Sequence, residues 1–505
     1  MKKIKLIIFI LFLIIFLIIF FFGMFGTSIS YLSSKDIKQD RKLNESLINS
    51  LKINNIDTIY DKNNKIHYYT LPDEYENKIH VLKLELKDNF KYKLINETLN
   101  IIKVDYQKPI NVIIYNDKYY YETKIQLTNL PMVNIESDYD ITTNDSQTKV
   151  KYINNGLEQK MVYKNTLIKI RGASSSTLPK KSYKITFMDK NYENDKNVSI
   201  SNFYYGDSLI LDAIYRDPSK IRNVLSTEIW NEISNDYNNI DIYSEFIELF
   251  INNEYKGLYV LTEPINRKRL KLNKSDLSNS SLLIKTSGWR TIGSLTNFDN
   301  ISDDIYLDYE IKYPNDENLY ERSWEKFLGL ISNYYNPNIK TTDQVIEQTF
   351  NRKNYLDIII FNSFVTNMDS CLKRNSYFYM KTLNDKELYT QPWDLEFTYG
   401  HYLNNYYDEK IQSDKILCEF FHPYAPKTNK LLIDRYWELR KNILTKENFD
   451  NLLDKYENEL TKGASLRDSK LWEEYDIKKE IDKIRTWLYS RLEFFDSYVR
   501  GLENE

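Results

Sequence analysis

Two short segments in the second half of the chain hold residue types and spacings that could do chemistry. The first reads Asn367-Met368-Asp369-Ser370-Cys371-Leu372-Lys373-Arg374-Asn375; after a predicted hairpin, the second reads Gln391-Pro392-Trp393-Asp394-Leu395-Glu396-Phe397-Thr398-Tyr399-Gly400. An aspartate, an asparagine six residues on, and then an aspartate at a strand end form a layout suited to metal-assisted phosphoryl transfer. Asp369 would orient an acceptor hydroxyl, the Asn375 side-chain carbonyl would hold a cation, and Asp394 would bridge cation to phosphate. Carboxylate and amide oxygens are the hard ligands that Mg²⁺ prefers. Turn capping accounts for each acid singly, but poorly for the whole constellation.

Three clusters upstream supply companions. Residues 168–187 read IKIRGASSSTLPKKSYKITF: a strand runs into Arg171-Gly172, a hydroxyl-rich loop follows (Ser174, Ser175, Ser176, Thr177), and Lys180, Lys181 and Lys184 come after it. Backbone N–H groups and hydroxyls of such a loop can face phosphate oxygens, with cations behind them. Taken alone, the stretch reads first as an ordinary polar hairpin. Asp217-Pro218-Ser219-Lys220-Ile221-Arg222-Asn223 opens a predicted helix, with Asp217 as its cap and Pro218 in its first turn. Glu228, one to two turns inside, is placed either to pair with a lysine of the preceding strands or to face water. Residues 246–270 predict two strands around an Asn252-Asn253 turn, then Thr262-Glu263-Pro264-Ile265, a connection of the kind that could join two lobes.

Glycine is scarce, 12 in all, so Gly172, Gly257 and Gly400 inside polar clusters mark backbone positions of special geometry. There is no GxGxxG and no GxxxxGK[ST], which excludes a Rossmann fingerprint and a P-loop. Two cysteines, Cys371 and Cys418, exclude a disulfide framework and a cysteine-rich zinc site, and four scattered histidines give little support to a histidine-based one. The 69 basic and 72 acidic residues leave a formal charge of −3, without the basic excess of a nucleic-acid binder. The densest basic run, Arg267 to Lys274, is short and interleaved with leucines, so it reads as a solvated face.

These residues need elements to hold them. At 505 residues, the chain is long enough for about three domains of ~150 residues each. Lys2, Lys3 and Lys5 precede an unbroken apolar run from Leu6 to Phe22, long enough to cross a bilayer and longer than a usual signal sequence. The expectation is an uncleaved transmembrane anchor over 1–26 with the lysines in the cytoplasm and the remainder outside. A linker follows over 27–45. Short alternating runs with turn signals predict a small β-rich domain over 46–126, whose residues carry no chemistry. Residues 127–505 begin with strands and end in long amphipathic helices, an α+β layout.

The ordered motifs LPMVNIE (130–136), RGASSSTLPKKSYKI (171–185), DPSKIRN (217–223), NNEYKGLYVLTE (252–263), RNSYFY (374–379) and PWDLEFTYG (392–400) resemble the CotH kinase family, the spore coat protein H group of atypical secreted kinases, over roughly residues 127–500. The resemblance implies a reduced, bilobal protein-kinase-like domain using ATP with Mg²⁺ or Mn²⁺, and Ser or Thr acceptors on a protein substrate. It implies Asp369 as catalytic base and Asn375, Asp394 and Glu396 as metal ligands. Nucleotide contacts would come from Arg171, Ser175, Glu263 and one of the lysines. Lys181 is favoured, Lys180 and Lys184 stay open, and Glu228 is a loose match to the lysine's partner. Glu396 departs from the aspartate that many relatives carry, lengthening that ligand. The implied setting is a cell membrane or spore surface, where extracytoplasmic ATP needs a source. The competing reading is a surface or spore-coat assembly protein that keeps the fold without turnover.

Overall fold

The computed structural model describes residues 33–43, 51–86, 89–97, 100–154, 160–200, 204–238, 240–274, 280–288, 303–334, 348–367, 370, 374–401 and 430–503. The anchor expected at 1–26, both cysteines and Asp369 lie outside them. Among the described residues no helix is long and apolar enough to cross a membrane.

The alternating runs of the first third form sheets. Strands β1 (Ile59–Asp61), β2 (Ile66–Thr70), β3 (Lys91–Leu94), β4 (Ile110–Tyr115) and β5 (Tyr119–Thr128) pair in the order β1-β2-β5-β4-β3. Tyr121, Ile125 and Leu127 of β5, all on one face, join Val112 and Ile114 of β4 in one apolar core. This is the period-two pattern that predicted strands there.

Next comes a closed seven-stranded barrel. Its strands are β6 (Met132–Glu136), β7 (Ser146–Ile153), β8 (Lys160–Arg171), β9 (Ser182–Phe187), β10 (Ser208–Asp212), β11 (Ser244–Ile251) and β12 (Glu254–Thr262). The order is β6-β7-β8-β9-β10-β12-β11, and a parallel pairing of β6 with β11 closes the ring. Asn252 and Asn253, at φ 51° and 64°, make the tight β11–β12 turn expected from their type. Tyr183, Ile185, Phe187, Leu209, Leu211, Ile247, Leu249, Tyr259 and Leu261 fill the barrel. Their neighbours Phe246, Leu258 and Val260 face outward and join a second core built mainly by helices.

Helix α1 (Arg222–Asn238) interrupts the barrel between β10 and β11. It begins at Arg222 rather than at Pro218, because the Asp217 carboxylate takes the Arg222 N–H (2.8 Å) and the Ser219 N–H (2.9 Å), curling the intervening residues into a turn. Beyond the barrel, β13 (Leu282–Thr286), β14 (Tyr309–Tyr313), β15 (Ser376–Met380) and β16 (Tyr389–Pro392) form an antiparallel sheet with Ile305–Tyr306 at one edge. After α1, the α-helices among the described residues are α2 (Tyr320–Tyr334), α3 (Arg352–Val365), α4 (Lys430–Asn442), α5 (Lys446–Leu460), α6 (Ala464–Leu471) and α7 (Ile477–Glu503). In α3 every residue from Asn354 to Val365 is buried, as its Ile358-Ile359-Ile360-Phe361 run requires of a helix without a polar face. The described chain is thus mixed α+β, with more sheet in its second half than the amphipathic runs suggested.

The first β unit is docked, not free. Ile59 and Tyr68 pack with Met132, Ile153, Phe250 and Tyr255 of the barrel. Lys462 reaches Asp73 (3.1 Å) and Glu76 (3.4 Å), and Arg467 Nη1 donates to the Tyr106 carbonyl (2.9 Å). Gly463, at φ 134°, allows this approach: a Cβ there would lie 2.4 Å from the Tyr106 oxygen. Gly463→Ala is therefore expected to cost about 1–3 kcal/mol. A lowered melting temperature and faster proteolysis within residues 51–128 would show it; an unchanged melting temperature would contradict this account.

Candidate functional site

The barrel's outer wall and the segment leaving β16 face each other across a cleft. On the barrel side it is lined by Arg171, Ser174, Ser175, Lys180, Ser182 and Asp212; on the other by Lys285, Arg374, Asn375, Trp393, Asp394 and Glu396. Strand alternation selects these residues. With Tyr183 and Ile185 inside the barrel, Ser182 and the preceding Lys180 fall on the outer side, as Asp212 does beside the inward Leu211.

The hydroxyl loop is compact. A Cβ on Gly172 (φ 101°) would sit 2.0 Å from Ser175 Oγ, and residues Ser174–Thr177 make one 3₁₀ turn. Ser176 and Thr177 bond within the loop, to Ala173 O (2.6 Å) and Ser174 O (2.8 Å), whereas Ser174 and Ser175 line the cleft. Of the three candidate lysines, Lys180 alone lines it. Lys181 turns back to the Ser176 carbonyl (2.9 Å). Lys184 lies farther along β9 outside the lining, its pKa lowered by burial and then by Lys169. Glu228 does not meet a strand lysine; it pairs with Lys455 (2.9 Å) and accepts from the Tyr456 hydroxyl. Glu263 also stays out of the cleft lining, accepting from Tyr243 N (2.9 Å) and pairing with Arg269 (3.0 Å), an internal tie at the end of β12. The basic run after it is likewise engaged, with Lys268 paired to Asp207.

Asp394 opens onto the cleft yet is walled by protein, which raises its carboxyl's proton affinity; Arg171 opposes this, Asp212 adds to it, and Lys285 and Arg374 oppose it. Glu396 is pushed well above the ordinary carboxylate range by enclosure, then by Asp394 and Asp212. Burial, with Arg171 and Lys312 nearby, lowers the pKa of Lys285. Arg171 stands over the Trp393 ring, 5.9 Å from its centroid. Three non-glycine residues of these walls hold the left-handed backbone region: Ile214 (φ 44°), Asn375 (φ 50°) and Asp394 (φ 61°). Such conformations cost about 1–3 kcal/mol each and persist where surrounding bonds impose them.

Around Asp394 such bonds come from α1. Asn223 donates to Asp212 (3.2 Å) through Nδ2 and accepts the Leu395 N–H (3.2 Å) on Oδ1. Ser226 Oγ donates to the Tyr399 hydroxyl (2.9 Å), and Trp230 Nε1 to Gln391 (3.1 Å). Arg222, fully buried, pairs with Asp217. Burial alone would raise the Asp217 pKa, but Arg222 and then His401 bring it below the usual value. One helix face thus fixes the Asp394 loop against the barrel. Asp212 and Asn223 were missed as site residues; the signal was an aspartate closing a predicted strand just before the DPSKIRN cluster.

Among the described residues no three His, Cys, Asp or Glu side chains converge as a ready-made metal cage. The donor chemistry nevertheless fits a divalent cation: Asp394 and Glu396 crowd like charge in one wall, Asn375 joins them in the lining, and all three offer oxygen. Mg²⁺ ordinarily takes one or two carboxylates and completes its shell with water and phosphate.

A barrel with a hydroxyl loop thus stands across a cleft from clustered carboxylates. The family model described as CotH kinase protein matches residues 168–495, and the chain belongs to that family. No curated protein matches the chain.

Asn223→Ala removes the link between Asp212 and Leu395. The expected result is a loss of about 1–3 kcal/mol in stability, together with a weaker Mn²⁺-induced rise in melting temperature than wild type shows. An unaltered Mn²⁺ response would count against a positioning role for α1.

Proposed function

We propose that this chain is a membrane-tethered protein kinase of CotH type, transferring the γ-phosphate of ATP to Ser or Thr residues of surface or spore-coat proteins. The observation that carries the proposal is the meeting, in one cleft, of the RGASSST loop and Lys180 with Asn375, Asp394 and Glu396. Ser174, Ser175 and Lys180 bind phosphate oxygens, and Arg171, Lys285 and Arg374 add positive charge around them. Asn375, Asp394 and Glu396 hold a divalent cation, which when bound supplies charge neutralisation at the phosphates. Asp369, two residues after Asn367 in sequence, accepts the proton of the acceptor hydroxyl as its oxygen attacks the γ-phosphorus and the bond from that phosphorus to the ADP oxygen breaks, ADP leaving. The apolar run Leu6–Phe22 supports the tether, and the lysines before it support an extracytoplasmic catalytic domain.

Full-length protein with γ-labelled ATP and Mg²⁺ or Mn²⁺ is expected to incorporate label into itself or a generic acceptor. Asp394→Ala and Asp369→Asn are expected to lower incorporation by a factor on the order of 10² or more. Absence of incorporation by wild type, with no ATP-dependent shift in melting temperature, would replace the catalytic reading with that of a surface-assembly protein.

A further inference from the structure

Lys180 is a tightly held cation of the cleft wall, and what holds it lies far away in the chain. Its side chain is fully buried; Nζ donates to the Leu258 carbonyl (2.6 Å) and to Asp468 Oδ1 (2.7 Å), and stands 4.7 Å from the centre of the Tyr259 ring. An ammonium group has three protons, so these two bonds leave one for a ligand in the cleft that Lys180 lines. Asp468 is buried too, and also accepts the Leu258 N–H (2.9 Å) and the Tyr475 hydroxyl (3.1 Å).

The surroundings are shaped to admit this acid. Gly257 has φ 101°, and a Cβ there would lie 2.3 Å from Asp468 Oδ1. The glycine flagged in the sequence is thus the opening through which a carboxylate from α6 reaches the barrel wall. Helix α6 is pinned on both sides: Arg467 Nε bonds Glu248 of β11 (2.8 Å), Arg467 Nη1 bonds Tyr106 O of the first β unit (2.9 Å), and Trp472 Nε1 bonds Lys256 O (2.9 Å). Glu228 of α1, the acid expected from sequence to pair with the lysine, is committed to Lys455 and Tyr456.

We propose that Asp468 is the positioning residue for Lys180, keeping it charged and aimed so that its remaining proton meets an ATP phosphate. This rests on the kinase reading above and adds a residue from outside every motif that suggested it. The pair is a balance of opposed effects. Burial lowers the Lys180 pKa to about 8, against the pull of Asp468; Lys220 lowers it further, while Asp212 raises it. Lysine loses its charge as pH rises through its pKa, so removing Asp468 moves that loss to lower pH.

The test measures ATP affinity and steady-state kinetics of full-length wild type, Asp468→Asn, Gly257→Ala, Lys180→Met and the Lys180→Met/Asp468→Asn double variant, each compared at the same pH. For Asp468→Asn the ATP Kd and KM are expected to rise on the order of tenfold at about pH 8, the effect of one pKa unit, and to return to within about twofold of wild type at about pH 6. Its kcat at saturating ATP stays within about threefold, because the interaction serves binding. Gly257→Ala, which displaces the carboxylate without removing it, shows the same pH-dependent weakening and decides the matter should Asp468→Asn not fold. Lys180→Met is impaired at both pH values, and adding Asp468→Asn to it weakens binding no further. Wild-type ATP affinity in Asp468→Asn at about pH 8, equal impairment at both pH values, or full additivity in the double variant would overturn the proposal while leaving the kinase reading standing. Wild-type protein that binds no ATP would overturn both.

Discussion

A closed barrel has no free edge, and that constraint organises the rest of the molecule. The inner faces of its strands make one core, sealed by the parallel pairing of β6 with β11. The outer faces of β11 and β12 carry Phe246, Leu258 and Val260, which demand cover of their own and receive it from the helices and the second sheet. Where that cover stops, near Ser182, Asp212 and Thr262, the polar residues of the same outer faces are left to line a cleft. The site is thus the continuation, in polar residues, of an interface whose apolar part holds two regions together.

Helix α1 converts that interface into a positioned site. It leaves the barrel after β10 and returns to it at β11, so its start is tied to the wall at both ends. The buried Asp217–Arg222 pair anchors the first turn, and Asn223, Ser226 and Trp230 then hold Asp212, Tyr399 and Gln391. Removing a partner from such a buried pair usually costs more than the pair contributes, because a charge is left without water or counter-ion. The left-handed backbone at Asp394 is sustained by this frame, through the Asn223 bond to the next residue's N–H.

Local features of the sequence were the legible ones. The hydroxyl loop, the Asn252-Asn253 turn, the α+β character and the gathering of Asp394 with Arg171 and Ser175 all follow from short motifs and periodicity. Choosing Lys181 over Lys180 neglected a signal that was present: Tyr183, Ile185 and Phe187 read as the inward set, and alternation then assigns Lys180 and Ser182 to the other face. Helix phase did not reveal that Glu228 would meet Lys455, because α5 lies more than 200 residues downstream. Barrel closure was hidden for the same reason, since β6 and β11 are distant in sequence and pair in parallel. Asp468 belongs to no motif, and only Gly257, whose missing side chain makes room for its carboxylate, points to it.

The separation of Lys180 from its carboxylate has a meaning in time as well as in space. The two lie 288 residues apart. At ~5–20 residues per second, a ribosome takes roughly 15–60 s to cover that stretch. The last barrel strand ends at Thr262, early in that interval, and for the remainder of it the lysine still lacks its carboxylate. A chain cut short between Glu396 and α6 carries the hydroxyl loop and the Asp394 wall but not the carboxylate that Lys180 bonds in the whole molecule. The wall of the cleft is thus completed late, by one of the last described helices of the chain.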